Sequence, residues 1–190
     1  MEILTEEKIN LNFELFKKKL SSIVDATKLI DNYGELLKKA TYSFSNKESE
    51  FCGEGFLLNT ILRVLTPNAL KINELLPEEK RVDVNSIIKV CLLHQISKST
   101  MVVLNDNKWE IENRGMIYKF LPSNVALKCG MRSVAICIQC GIELTEEELE
   151  AMSNLDKEED KQMKYYSSPL AIILKQANEL TEIVNKKITL

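Results

Sequence analysis

The sequence predicts a mostly α-helical bundle carrying a small β-hairpin flap, and three observations lead there. Apolar residues recur at i, i+3, i+4 spacing over long stretches near both ends of the 190-residue chain. The segment Ser86 to Lys98, SIIKVCLLHQISK, is apolar nearly all round, as a helix buried on most sides must be. Only between Met101 and Phe120 do short β-branched or aromatic runs appear, separated by Asn-Asp-Asn and Asn-Arg-Gly.

Taken in order, residues 6 to about 33 place Ile9, Phe13, Phe16, Leu20, Ile23, Val24, Leu29 and Ile30 on one helical face. Thr5 is a cap for the first part, and Asp25 or Thr27 restarts the helix after a bend. Ser43 to Gly55 collects Ser, Asn, Lys, Glu and two glycines and reads as a loop. Phe56 to Val64 resumes a helix. Pro67 lacks an amide hydrogen and disfavours helix at Thr66, so a kink is expected there before the helix runs on to Leu76 and ends at Pro77. Asp83 or Asn85 can cap the central helix.

Met101–Leu104, Lys108–Ile111 and Met116–Phe120 read as two or three strands of the flap, with Trp109 on it. Leu121 to Leu127 leads back to a helix from about Cys129 to Cys140, closed by Gly141. Thr145 with Glu148 forms a capping box opening a helix to about Leu155. Asp156 to Lys164 is nearly all charged or polar and reads as a solvated loop or helix end. Ser168 and Pro169 open the last helix, whose stripe runs Leu170, Ile173, Leu174, Ala177, Leu180, Ile183, Val184. The organisation expected is a single domain over 1–190, with 1–45 packing on or extending from the core and 100–120 forming the flap.

A net charge of −3 gives no basic footprint for non-specific nucleic-acid binding, although a local basic pocket is compatible with it. No apolar run approaches the roughly 20 residues of a membrane span. Glu2, Glu6, Glu7 and Lys8 interrupt the start of the chain, and the five cysteines are an odd number, so a cytoplasmic protein with reduced thiols is expected. Cys137 and Cys140 form a CxxC without a second pair at zinc spacing, and they read as two small packed thiols.

Six strings occur in a telling order: GFLLNTILRV (55–64), CLLHQISK (91–98), NKWE (107–110), ALKCGMRSV (126–134), LTEEEL (144–149) and SPLAIILKQANEL (168–180). In this order the chain resembles the HD-domain metal-dependent phosphohydrolases, closest to small single-domain members of bacteria and phages, over about residues 50 to 185. The resemblance implies an HD-like helical fold with a β-flap. It also implies a site where histidines and aspartates of separate helices hold divalent metal, which would generate a nucleophile from bound water.

Carried over position by position, those ligands fall on Thr60, His94, Gln95, Cys129, Leu155 and Asn178, with a further last-helix histidine at Lys175. His94, the only histidine of the chain, survives. Gln95 and Asn178 keep hydrogen-bonding capacity but discard the anionic charge a hard cation requires. A catalytic metal site needs about three protein ligands. The expectation is therefore a catalytically inactive relative that uses no cofactor.

Two roles follow for such a chain. It can work through its surface, as a partner-binding, regulatory or self-assembling component of the cytoplasm or a virion, with the N-terminal helices, the Trp109 flap and the 156–164 stretch as contact regions. Alternatively, Lys98, Lys128, Arg132 and Lys175 can converge in the former cleft and bind a nucleotide or other anionic small molecule directly, without metal. A residual metal-dependent phosphohydrolase is the enzyme alternative. No Ser/His/Asp or Cys/His set can be placed together in the sequence to support it.

Overall fold

A computed structural model describes residues 3–154 and 167–186, and in it the chain is mostly helical with one small two-stranded antiparallel sheet. Helix α1 spans Glu6–Ser21, and Thr5 caps it by accepting from the Lys8 amide at 3.3 Å. The chain turns at residues 22–26, where Asp25 accepts from the Thr27 amide, and α2 then runs Thr27–Lys39, past the expected end near 33. Phe16, Leu20, Leu29 and Leu37 are fully buried, which docks this hairpin of helices onto the core.

The expected kink at Pro67 takes a different form. Helix α3 (Phe56–Thr60) widens into a π-helical turn over Ile61–Leu65 and continues as α4 (Thr66–Glu74). Pro67 cannot donate to residue 63. The Thr66 amide and its hydroxyl instead both reach the Ile61 carbonyl, the hydroxyl at 2.8 Å, and the helix widens without breaking.

Helix α5 (Val84–Leu93), capped by Asp83 through the Ser86 amide, lies at the centre and touches α1 and α4, together with α8 (Cys129–Gln139), α9 (Glu146–Asn154) and α10 (Pro169–Asn185). Ile87, Val90, Cys91, Leu92 and Leu93 are buried to completion, each apolar side chain contributing about 1.5–3 kcal/mol. The helix ends earlier than its apolar pattern predicts: His94 is its C-cap, residues 94–97 form a turn, and α6 is the short Lys98–Met101.

The expected small β-flap is present as a two-stranded hairpin, with one departure. Val102–Leu104 (β1) and Tyr118–Phe120 (β2) pair with Val102 opposite Phe120, but the middle run is a helix, α7 (Lys108–Arg114). Asn107 caps it through the Glu110 amide, and Gly115 ends it in the left-handed conformation at φ +64°. Period-two reading of Lys108–Ile111 missed this asparagine-to-glycine frame.

The remaining caps match their sequence signatures. Thr145 and Glu148 exchange both hydrogen bonds of a capping box at the start of α9. Ser168 caps α10 (Pro169–Asn185) through the Ala171 amide, and Gly141, at φ +77°, follows α8. Cys137 and Cys140 are both buried free thiols, and burial pushes Cys137 up to about 12. Among the described residues no helix is long and apolar enough to cross a membrane. Leu155 and the Asp156–Lys164 stretch lie outside the described residues.

Candidate functional site

The early end of α5 creates the site. His94 keeps a helical amide bond to Val90, so its backbone is fixed, while the imidazole Nδ1 donates to the Cys91 carbonyl at 2.9 Å. That bond sets the tautomer and leaves Nε2 as an acceptor. The ring is fully buried, and burial pushes its pKa down to about 4. The Cys91 carbonyl opposes this shift and the Lys98 ammonium adds to it. His94 is therefore neutral at physiological pH. Among the described residues its Nε2 has no hydrogen-bond partner.

Gln95 sits beside it, 7 % exposed. Its amide nitrogen donates to Asn178 Oδ1 on α10 at 3.3 Å, and its Oε1 is likewise without a partner among the described residues. One turn further along α10, Glu182 accepts from the Tyr42 hydroxyl at 2.9 Å, and Asn178 Oδ1 lies 3.4 Å from the same oxygen. Burial, then the Glu182 carboxylate, raises the Tyr42 pKa far above its ordinary value, so the phenol stays protonated as a donor. Lys98 donates to the Tyr42 carbonyl at 2.7 Å and stands 4.3 Å from the centre of its ring.

Of these residues, His94, Gln95, Lys98, Asn178 and Glu182 line a cavity of about 530 Å³, and Tyr42 does not. His94, Gln95, Asn178 and Glu182 line its polar side, and Met101, Phe120, Leu121, Val125 and Leu127 its apolar side. Cys129, the first residue of α8, lines it as well, its thiol 3.1 Å from Ser97 Oγ. Ser97 also donates to the Cys129 carbonyl at 2.9 Å, stapling the turn after α5 to the start of α8. Arg132 is spent on the 123–127 segment. It donates to the Val125 carbonyl at 2.6 Å, to the Leu127 carbonyl at 3.4 Å and to the Ser123 hydroxyl, and so holds that wall in place.

Of the positions carried over by resemblance, His94, Gln95, Cys129 and Asn178 do come together on this cavity. Thr60 does not line it: its hydroxyl is buried without a partner among the described residues. Leu155 is outside the described residues. Of the expected cations, Lys98, Lys128 and Arg132 line the cavity and Lys175 does not. Tyr42 and Glu182 were not singled out from sequence. The signal for Glu182 was its place one turn beyond Asn178 on the same helix, whereas Tyr42 reaches the site from a loop 136 positions away in sequence from Asn178.

The residues present do not fit a catalytic divalent metal. His94 offers one neutral nitrogen, Gln95 and Asn178 are amides bonded to each other, and the described residues hold no cluster of three His, Cys, Asp or Glu groups able to take an ion. No family model, curated protein or solved structure matches the chain.

Proposed function

We propose that this is a catalytically inactive, HD-like protein that binds a small molecule in the cavity between the end of α5, α8 and α10, without metal, and acts as a regulator or binding component. One observation carries this reading. Two buried acceptors, His94 Nε2 and Gln95 Oε1, belong to residues lining a cavity of about 530 Å³ and have no partner among the described residues. An unsatisfied buried polar atom costs about 1–3 kcal/mol, and a ligand that donates to both removes that cost. Cations at Lys98, Lys128 and Arg132 add a positive side to the same space.

The test is thermal-shift screening of the purified chain against nucleotides, cyclic dinucleotides and neutral heterocycles. A parallel phosphoesterase and nucleotidase assay is run with added manganese, iron or nickel. Stabilisation by a ligand with no turnover supports the reading. Turnover that His94→Ala abolishes restores the phosphohydrolase alternative.

A second role is favoured by the flap. Leu104, Trp109 and Phe120 are 68 %, 58 % and 51 % exposed, an unusual concentration of large apolar surface for one short segment. Phe120 also lines the cavity, so a protein partner or second copy seated on the flap would sense what the cavity holds. Co-purification of a partner that Trp109→Ala releases supports this role, and a strict monomer that captures nothing opposes it.

A further inference from the structure

The two sides of the cavity differ in chemistry, and the difference defines the head group that fits. On the polar side the two buried acceptors left open belong to His94 and Gln95: the imidazole donates its one ring proton to the Cys91 carbonyl, and Gln95 directs an amide hydrogen to Asn178. Asn178 lines the same side and its amide nitrogen is a donor, so a head group that donates to the first two and also accepts is matched there. Glu182, also on that side, is engaged by Tyr42 through one oxygen and by Asn185 through the other. A phosphate, sulfate or carboxylate placed here would set its own lone pairs against those of His94 and Gln95. An ammonium would meet acceptors and the Glu182 carboxylate, but the Lys98 charge, held in place over the Tyr42 ring, offsets that attraction. A neutral N–H donor has neither conflict.

Much of the remaining lining is apolar. Phe120 presents an aromatic ring backed by Phe44, their centroids 4.6 Å apart, with Leu121 and Val125 beside it. Such a wall suits a flat apolar body.

We propose that the cavity takes a neutral, planar head group bearing N–H donors, of the primary amide, urea or amino-heterocycle class, on an apolar body. The N–H groups donate to His94 Nε2 and Gln95 Oε1, and the body lies against Phe120. This rests on the reading of the cavity as a ligand site and names the ligand chemistry for it. Any acidic tail stays at the mouth, near Lys128 and Arg132.

Four probes of one shape test it: benzamide, N,N-dimethylbenzamide, benzoate and benzylammonium, titrated into the full chain. His94 is the only histidine, so its imidazole nitrogens are an unambiguous NMR reporter. The expected result is a saturable shift of the Nε2 resonance with benzamide. N,N-dimethylbenzamide, which has no donor, should bind about tenfold more weakly or worse, as one lost hydrogen bond of this kind implies. Benzoate and benzylammonium should also bind more weakly. Gln95→Met, which removes the acceptor at similar volume, should weaken benzamide by a similar factor, as should Phe120→Ala on the exposed rim.

Benzoate binding as tightly as benzamide, or dimethylation without effect, overturns the donor-head inference and leaves the cavity as a ligand site. No response to any probe, at the imidazole or at the backbone amides around the cavity, overturns both. If Gln95→Met does not fold, the comparison among the four probes decides alone.

Discussion

Gln95 donates its side-chain amide to Asn178 Oδ1 across 3.3 Å, tying the turn that follows the central helix to the last helix of the chain. Where two carboxylates would repel or need a cation between them, two amides can hydrogen-bond directly. Asn178→Leu removes the acceptor and leaves the Gln95 amide nitrogen without this bond, at a cost of about 1–3 kcal/mol in urea unfolding. Adding Gln95→Met in the same chain should recover part of that loss, because neither polar group is then stranded. An unchanged midpoint in the single variant would contradict the coupling.

His94 makes stability depend on pH in a defined direction. Its folded pKa of about 4 lies below the ordinary 6.5, so between those values the unfolded chain binds a proton that the folded chain refuses. The contribution is fully present above pH 6.5 and is lost as pH falls toward 4, on the order of 3 kcal/mol across the window. The imidazole Hε1 resonance should show no titration near pH 6.5. A midpoint there, or a pH profile of unfolding that His94→Leu leaves unchanged, would show that the folded chain does not hold the ring neutral.

A buried ion pair fixes α9 to α5. Lys89 Nζ lies 2.7 Å from Glu148 Oε2 and 2.7 Å from the Glu143 carbonyl, while the same carboxylate receives the Thr145 amide. Lys89→Met strands the carboxylate and should cost about 3–5 kcal/mol. Lys89→Met with Glu148→Leu should cost less than the two singles added together, measured as a double-mutant cycle in guanidinium.

Gly130 lets α8 lie against α9. A Cβ at this position would fall inside van der Waals contact of the Met152 carbonyl, which is backbone and cannot swing away. Gly130→Ala should therefore destabilise the chain by about 2 kcal/mol or more, against the gain of a few tenths to 1 kcal/mol that alanine normally brings to a helix. Thermal unfolding compared with Ala135→Gly, at an ordinary position of the same helix, separates steric cost from propensity.

Much of the architecture was legible because its signals are local. Thr5, Asp83, Thr145 with Glu148, and Ser168 cap the helices their neighbours announce, and the apolar surround of Ser86–Lys98 marked the centre of the core. The errors fell where periodicity and caps compete. Lys108–Ile111 alternates like a strand but sits between Asn107 and Gly115, and the apolar run to Ile96 outlasts the helix that ends at Leu93. The site was legible only through position matching, which brought His94, Gln95, Cys129 and Asn178 together. Tyr42 and Glu182 escaped because nothing local marks a loop tyrosine that meets a helix from the far end of the chain.

That distant meeting has a consequence for how the chain reaches its native state. The loop carrying Tyr42 is clasped to the end of α10: the Glu50 amide donates to the Asn185 carbonyl at 2.9 Å, and the Asn185 amide to Ser43 Oγ at 2.8 Å. Each of these contacts closes a span of more than 130 residues, and such closures come late because chain entropy must be surrendered before they reward it. Helix α10 also supplies Asn178 and Glu182 to the cavity, so the cavity is complete only when these long-range closures have formed.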